Sequence, residues 1–93
     1  MSDGLFEGCK LLEEIEIPSG VTAIGNRAFY GCESLKPPKM PEGLVMVGDE
    51  AFAQCIKFDK VKFSDALKTV GVGSFSQCVV LTDINLGNSL VSI

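Results

Sequence analysis

Four tetrads of the form F-x-x-C dominate this chain: Phe6-Glu7-Gly8-Cys9, Phe29-Tyr30-Gly31-Cys32, Phe52-Ala53-Gln54-Cys55 and Phe75-Ser76-Gln77-Cys78. Phenylalanine and cysteine alike recur every 23 residues, with no insertion. A fixed period in the range of roughly 20–50 residues marks a solenoid, in which each unit completes the core of its neighbour. The chain of 93 residues therefore divides into 1–20 (partial), 21–43, 44–66, 67–89 and a stub at 90–93. It reads as one repeat segment.

Aligned on the tetrad, the units give apolar columns. Val21, Leu44, Leu67 and Leu90 form one, and Ile24, Val47, Val70 and Ile93 the next. Gly25, Gly48 and Gly71 follow, then Asp3, Asn26, Asp49 and Val72, then the small residues Ala28, Ala51 and Ser74. After cysteine come Leu12, Leu35, Phe58 and Leu81, then Ile15, Pro38, Val61 and Ile84, then Ile17, Met40, Phe63 and Leu86.

These columns predict three short elements per unit. Leu12–Ile17 ends in apolar/polar alternation, the pattern of a strand with one buried face. Pro18-Ser19-Gly20 turns the chain, and Val21–Ile24 is a second extended piece. Gly25 then permits a sharp bend, and Asn26 caps a short helix through Ala28–Tyr30, as Asp3 and Asp49 do in their own units. Val72 lacks a capping oxygen, so the last helical turn is expected to be the weakest. Strands related by translation form parallel sheets, and the connections are expected to wind right-handed. The copy Leu35–Met40 carries Pro37 and Pro38, which donate nothing to a ladder. The spacing predicts an irregular strand there without loss of register.

The stretch Ile17–Leu35, I-P-x-x-V-x-x-I-G-x-x-A-F-x-x-C-x-x-L, resembles the BspA-like, or treponemal-type, leucine-rich repeat. The likeness spans almost the whole chain. It departs where Ser64 and Gly87 replace the proline of Pro18 and Pro41, and where Ser74 replaces alanine. The resemblance implies an α/β repeat: a right-handed β/α solenoid of leucine-rich-repeat type, with a parallel sheet of short strands and short helical turns. It further implies a binding protein at the cell surface or outside the cell, several such proteins being linked to adhesion. A cytoplasmic setting stays open, because Met1-Ser2-Asp3-Gly4 lacks the basic start and apolar run of an export signal.

Composition excludes some functions. A net charge of −4 argues against nucleic acid. No apolar run approaches the ~18–20 residues of a membrane-spanning helix. With no histidine in the chain, no Ser-His or Cys-His pair exists. Glu13, Glu14 and Glu16 cluster, but on an open sheet face where nothing raises a carboxyl pKa. Gly71-Val72-Gly73 lacks the rest of a nucleotide fingerprint. No cofactor is indicated, and the reading is non-enzymatic.

Two readings of the cysteines compete. A metal site needs close pairs, and here the nearest spacing is 23 residues. A disulfide between neighbours such as Cys32 and Cys55 meets the distance requirement, but residues of one column point the same way, which suits a ladder of buried thiols better. The phenylalanines read as a stacked core spine.

The outward strand positions carry charge in three columns: Glu13, Lys36, Asp59, Thr82; Glu14, Pro37, Lys60, Asp83; and Glu16, Lys39, Lys62, Asn85. Neighbours in such a column lie about 4.8 Å apart, so Glu13–Lys36–Asp59 is expected to form an alternating ladder. The face either pairs with itself or binds a protein, such as a host or matrix protein. Its candidate contact residues are Glu14, Glu16, Lys39, Lys60, Lys62, Asp83 and Asn85, since solenoids use their regular faces and no inserted loop competes. The alternative is an assembly element. Both ends fall within a unit, and Leu90 and Ile93 would then mediate end-to-end self-association or continue a longer array.

Overall fold

The computed structural model describes residues 1–88, and the expectations for Leu90 and Ile93 lie outside them. Two parallel sheets carry the repeat. In the first, β1 (Ala23–Ile24), β2 (Met46–Val47) and β4 (Thr69–Val70) lie side by side, with Ala23 opposite Met46 and Met46 opposite Thr69. In the second, β3 (Lys60–Lys62) pairs with β5 (Asp83–Asn85), Val61 opposite Ile84. Each pairing is an offset of one repeat. The first sheet runs through three units unbroken, its ladder continued by Gly48 N–H to the Ile24 carbonyl and Gly71 N–H to the Val47 carbonyl, both 2.8 Å.

Between the sheets lies one apolar core, made from the columns. Ile24, Phe29, Leu35, Leu44, Phe52, Phe58 and Leu67 are all buried within it. The tetrad phenylalanines stand in single file. Phe6–Phe29, Phe29–Phe52 and Phe52–Phe75 stack with centroids 5.4, 5.3 and 5.5 Å apart and ring planes within 17°.

The expected helical turns are absent: among the described residues there is no helix. The segment after Gly25 is instead a chain of overlapping turns, in which Ala28, Tyr30 and Cys32 donate to the carbonyls of Gly25, Arg27 and Phe29 at 3.2–3.3 Å. The alternate amides, Arg27, Phe29 and Gly31, donate to Asp49, Ala51 and Ala53 of the next unit at 2.8–2.9 Å. An α-helix would aim every N–H along its own axis and leave none for the neighbour. The turns require positive φ at every fourth residue. Arg27 and Glu50 have φ of 56° and 54° in the column of Gly4 and Gly73, and Gln54 and Gln77 have 60° in the column of Gly8 and Gly31. Positive φ at the third residue is the mark of a type II turn.

The capping expectation is corrected in the same way. Asp3, Asn26 and Asp49 each accept from a backbone N–H one full unit on, that of Asn26, Asp49 and Val72 respectively, at 2.8–2.9 Å. They link units instead of starting helices. This explains the glycine column. Gly48 does not use positive φ, but a Cβ there would lie 2.5 Å from Asn26 Oδ1 and 2.6 Å from its amide nitrogen. The requirement is for close approach, not for a bend.

Gly48→Ala is expected to cost about 1–3 kcal/mol, since backbone must shift to admit the methyl group. Gly43→Ala, with open space around the added carbon, should stay within about 0.5 kcal/mol of the parent. Urea denaturation of the two variants measures the difference.

Candidate functional site

All seven candidate contact residues, Glu14, Glu16, Lys39, Lys60, Lys62, Asp83 and Asn85, are exposed. β3 and β5 bring four of them into strict register, Lys60 opposite Asp83 and Lys62 opposite Asn85, with buried Val61 pointing inward between the lysines. The expected Glu13–Lys36–Asp59 ladder does not form. Lys36 reaches Glu14 at 4.0 Å, and Asp59 Oδ1 accepts from the Lys60 amide at 2.8 Å. A solvated Lys–Glu contact of that length contributes little.

Glu14 and Glu16, and Lys39 in the next unit, lie on stretches that are not strands. The reason is the proline pair. Successive amides of a strand point to opposite edges. Pro37 stands in the column of Asp83, whose amide donates back to the Asp59 carbonyl at 3.3 Å, and Pro38 in the column of Val61, on the alternate edge, so Pro37 lacks a donor toward 13–17 and Pro38 one toward β3. Lys36 N–H still donates to the Glu13 carbonyl at 2.9 Å, but this is where pairing with the first unit ends. Among the described residues no backbone hydrogen bond joins 36–40 to 59–63. The ladder is cut on both sides of one unit, while the register resumes between β3 and β5.

Clefts open at both cuts. One of about 700 Å³ runs from 36–40 across β3 to Asn85, Gly87 and Asn88, bordered by Pro38, Lys39, Lys60 and Lys62, with Glu42 and Asp65 at one end. Met40 and Phe63, 5% and 2% exposed, line its inner side. On the other side, a cleft of about 470 Å³ is lined by Glu14, Glu16, Lys36, Pro37 and Lys39. Sequence reasoning identified the lysines but missed Glu42, Ser64 and Asp65. The Ser64 hydroxyl donates to the Glu42 carbonyl at 2.6 Å, and Asp65 accepts from the Asn88 amide at 2.9 Å. The available signal was Pro37-Pro38 itself, in a column otherwise suited to a strand.

A second polar cluster was not anticipated. Arg27 lies 3.0 Å from Glu7 and 3.6 Å from Glu50, with its guanidinium 4.0 Å from the Tyr30 ring centroid. The Tyr30 hydroxyl accepts from Gln54 at 3.0 Å. These contacts tie three units together on the turn face, and their geometry is that of a structural clasp.

The four cysteines are free thiols. Cys32, Cys55 and Cys78 each donate to the carbonyl of Phe6, Phe29 and Phe52 in the preceding unit, at 3.2 Å. That same carbonyl accepts the N–H of its own unit's cysteine. The two functions account for the F-x-x-C spacing. Burial, with the neighbouring Cys9 as a smaller cause, pushes the Cys32 thiol up to about 11. Burial, then Cys32 and Cys78, pushes Cys55 up further, and burial raises Cys78. Among the described residues no three metal-ligating side chains converge, and no helix is long and apolar enough to cross a membrane.

Over residues 1–93 the sequence matches the model of the family described as "BspA type Leucine rich repeat region (6 copies)". A crystal structure of a leucine-rich repeat protein from Bacteroides ovatus is similar to this fold, with a TM-score of 0.78 and 26% sequence identity. The likeness covers 97% of this chain and 30% of that one, so the chain spans less than a third of its structural neighbour. No curated protein matches it.

The thiol column generates a measurable expectation. Iodoacetamide at pH 8 should label Cys9 first, leave Cys32, Cys55 and Cys78 slow in the native protein, and label all four after denaturation. The raised values make the neutral thiol the folded form. Stability should thus hold below pH 9 and fall as pH climbs from 9 through about 11, where the unfolded chain ionises ahead of Cys32. Denaturant midpoints across that range check the sign.

Proposed function

Because the chain belongs to the BspA-type leucine-rich repeat family, we propose that it is a non-enzymatic protein-binding scaffold whose contact surface is the outward face of 14–16, 37–39, β3 and β5. The observation that carries this is the shared exposure of Glu14, Glu16, Lys39, Lys60, Lys62, Asp83 and Asn85 along one side, beside two open clefts. The turn face spends its charges on itself, through Arg27, Glu7 and Glu50. The strand face leaves its lysines available. Lys39, Lys60 and Lys62 have no ion-pair partner among the described residues.

The family tendency toward surface-exposed and secreted binding proteins extends the reading. The chain is then a segment of an adhesin-like protein at the cell surface or outside the cell, and its partner is a protein such as a host or matrix protein. Free thiols do not oppose that setting, because Cys32, Cys55 and Cys78 are buried in the stack and slow to react, and Cys9 is half-buried.

Immobilised matrix proteins, read by surface plasmon resonance, test this. The parent chain should bind at least one. Lys39→Glu with Lys62→Glu should weaken that binding by about tenfold or more, as expected for reversing charges in a contact, while the thermal midpoint stays within about 2 °C of the parent for such exposed sites. Undiminished binding by the double variant overturns the face assignment.

A further inference from the structure

The larger cleft crosses the strands and follows the array, and its banks are columns of the repeat. Lys39, Lys62 and Asn85 form one bank, each exposed and each one unit from the next. Where the strands end, Glu42, Asp65 and Asn88 form the other, again exposed and one unit apart. Between them the chain makes a floor, with Phe63 buried and Ser64 and Gly87 half-buried. Lysine and carboxylate thus stand three residues apart in two successive units, at 39 and 42 and at 62 and 65. Neither pair closes. Among the described residues Lys39, Lys62, Glu42 and Asp65 take part in no ion pair. Two rows of opposite charge run side by side, held apart by the floor.

That floor departs from the repeat at the same place. Pro18 and Pro41 are followed in their column by Ser64 and Gly87. Toward the first unit the cleft continues past Pro41, between Lys39 and Glu42, as a pocket of about 320 Å³. Over Ser64 and Gly87 it is about 700 Å³. The wider part lies where the prolines are replaced.

We propose that this groove binds an extended peptide segment of a partner protein, laid along the array across the strands, in which acidic and basic side chains alternate. The inference rests on reading the strand face as protein-binding, and it specifies the partner's conformation and charge order. In an extended chain successive side chains point to opposite sides. Set edge-on in the groove, one set meets Lys39 and Lys62, and the alternate set meets Glu42 and Asp65. Same-side residues of the peptide recur about every 6.7 Å and the units about every 4.8 Å, a difference that the flexible lysine stems take up. A segment of one sign is attracted by one row and repelled by the other, so the charge order supplies the selectivity. The partner lies on the surface. It asks for no separation of the units, and leaves the first sheet, the phenylalanine file and the Ser64–Glu42 bond as they are.

The experiment titrates a capped hexapeptide, three Glu-Lys pairs, into the isotope-labelled chain at low ionic strength. Amide shifts should map to 39–42, 62–65 and 85–88. A peptide of the same composition in two blocks, three glutamates and then three lysines, should bind about tenfold more weakly. Glu42→Gln with Asp65→Asn, which keeps an acceptor for the Asn88 amide, should weaken the alternating peptide by about tenfold, and so should Lys39→Gln with Lys62→Gln. Ser64→Pro writes the column's own proline back over an amide that donates to nothing among the described residues, and should weaken it as well. Failure of the alternating peptide to bind, equal binding of the block peptide, shifts confined to other residues, or full binding by either neutralised pair or by Ser64→Pro each overturns the groove. Binding to a matrix protein that persists while the alternating peptide fails sinks the groove and spares the strand face, and loss of both sinks the face with it. If Ser64→Pro does not fold, the comparison of the two peptides decides, because it leaves the protein unchanged.

Discussion

A backbone amide that points along the axis of a stacked array has only the next unit to bond to. That constraint shapes every part of this molecule. In the two sheets it is met by parallel ladders, and on the turn face by alternate amides that reach the neighbour's carbonyls. Asp3, Asn26 and Asp49 extend the same logic to side chains, each spanning one repeat to a backbone N–H. Burying such groups unpaired would cost about 1–3 kcal/mol each, which over several units approaches the whole stability of a small domain.

The side chains follow from that spacing. Strands about 4.8 Å apart bring identical residues into contact, so each column must tolerate being packed against itself. Phenylalanine does so by offset stacking, with centroids near 5.4 Å. Cysteine does so because its thiol is small and donates to the same phenylalanine carbonyl that closes the turn. Glycine does so at Gly25, Gly48 and Gly71 because the previous unit's Asx residue lies where a Cβ would be. Ser74, in an alanine column, is accommodated because its hydroxyl donates to the carbonyls of Gly48 and Gly71.

The columns were legible in the sequence because translation by a constant number of residues needs no knowledge of the path between them. Parallel register, the phenylalanine file and the paired core columns follow from period alone. The path itself was harder to read. A short helix and a spiral of turns both place Ala28, Phe29 and Cys32 inward, and an Asx residue before them serves either a cap or a cross-repeat bond. What separates the two is the paired glycines Gly4 and Gly8, with Gly31 and Gly73 in the same columns, because positive φ at every fourth residue is incompatible with a helix. Arg27, Glu50, Gln54 and Gln77 hide that signal, since each occupies a left-handed position without being glycine. The charged ladder failed for another reason. Long side chains on an open face choose among several near neighbours, and column membership does not decide whether Lys36 meets Glu13 or Glu14.

The irregular stretch 36–40 is legible for the opposite reason, through a violation of the repeat. Two adjacent prolines remove one donor from each edge of a single strand, so they cut the second sheet on both sides with the least change of sequence. Such a cut would be ruinous in a fold held by one sheet. Here the first sheet passes the same units without interruption, and the phenylalanine file and the turn ladder continue beneath it. Three independent connections hold the spacing while the fourth is open. The unit therefore leaves main-chain groups of β3 unpaired, between Lys39, Lys60 and Lys62, on a frame that has no need of them. A repeat protein whose ladders were all complete would have only side chains to offer a partner. This one also has unpaired backbone, at the position where its own pattern lapses.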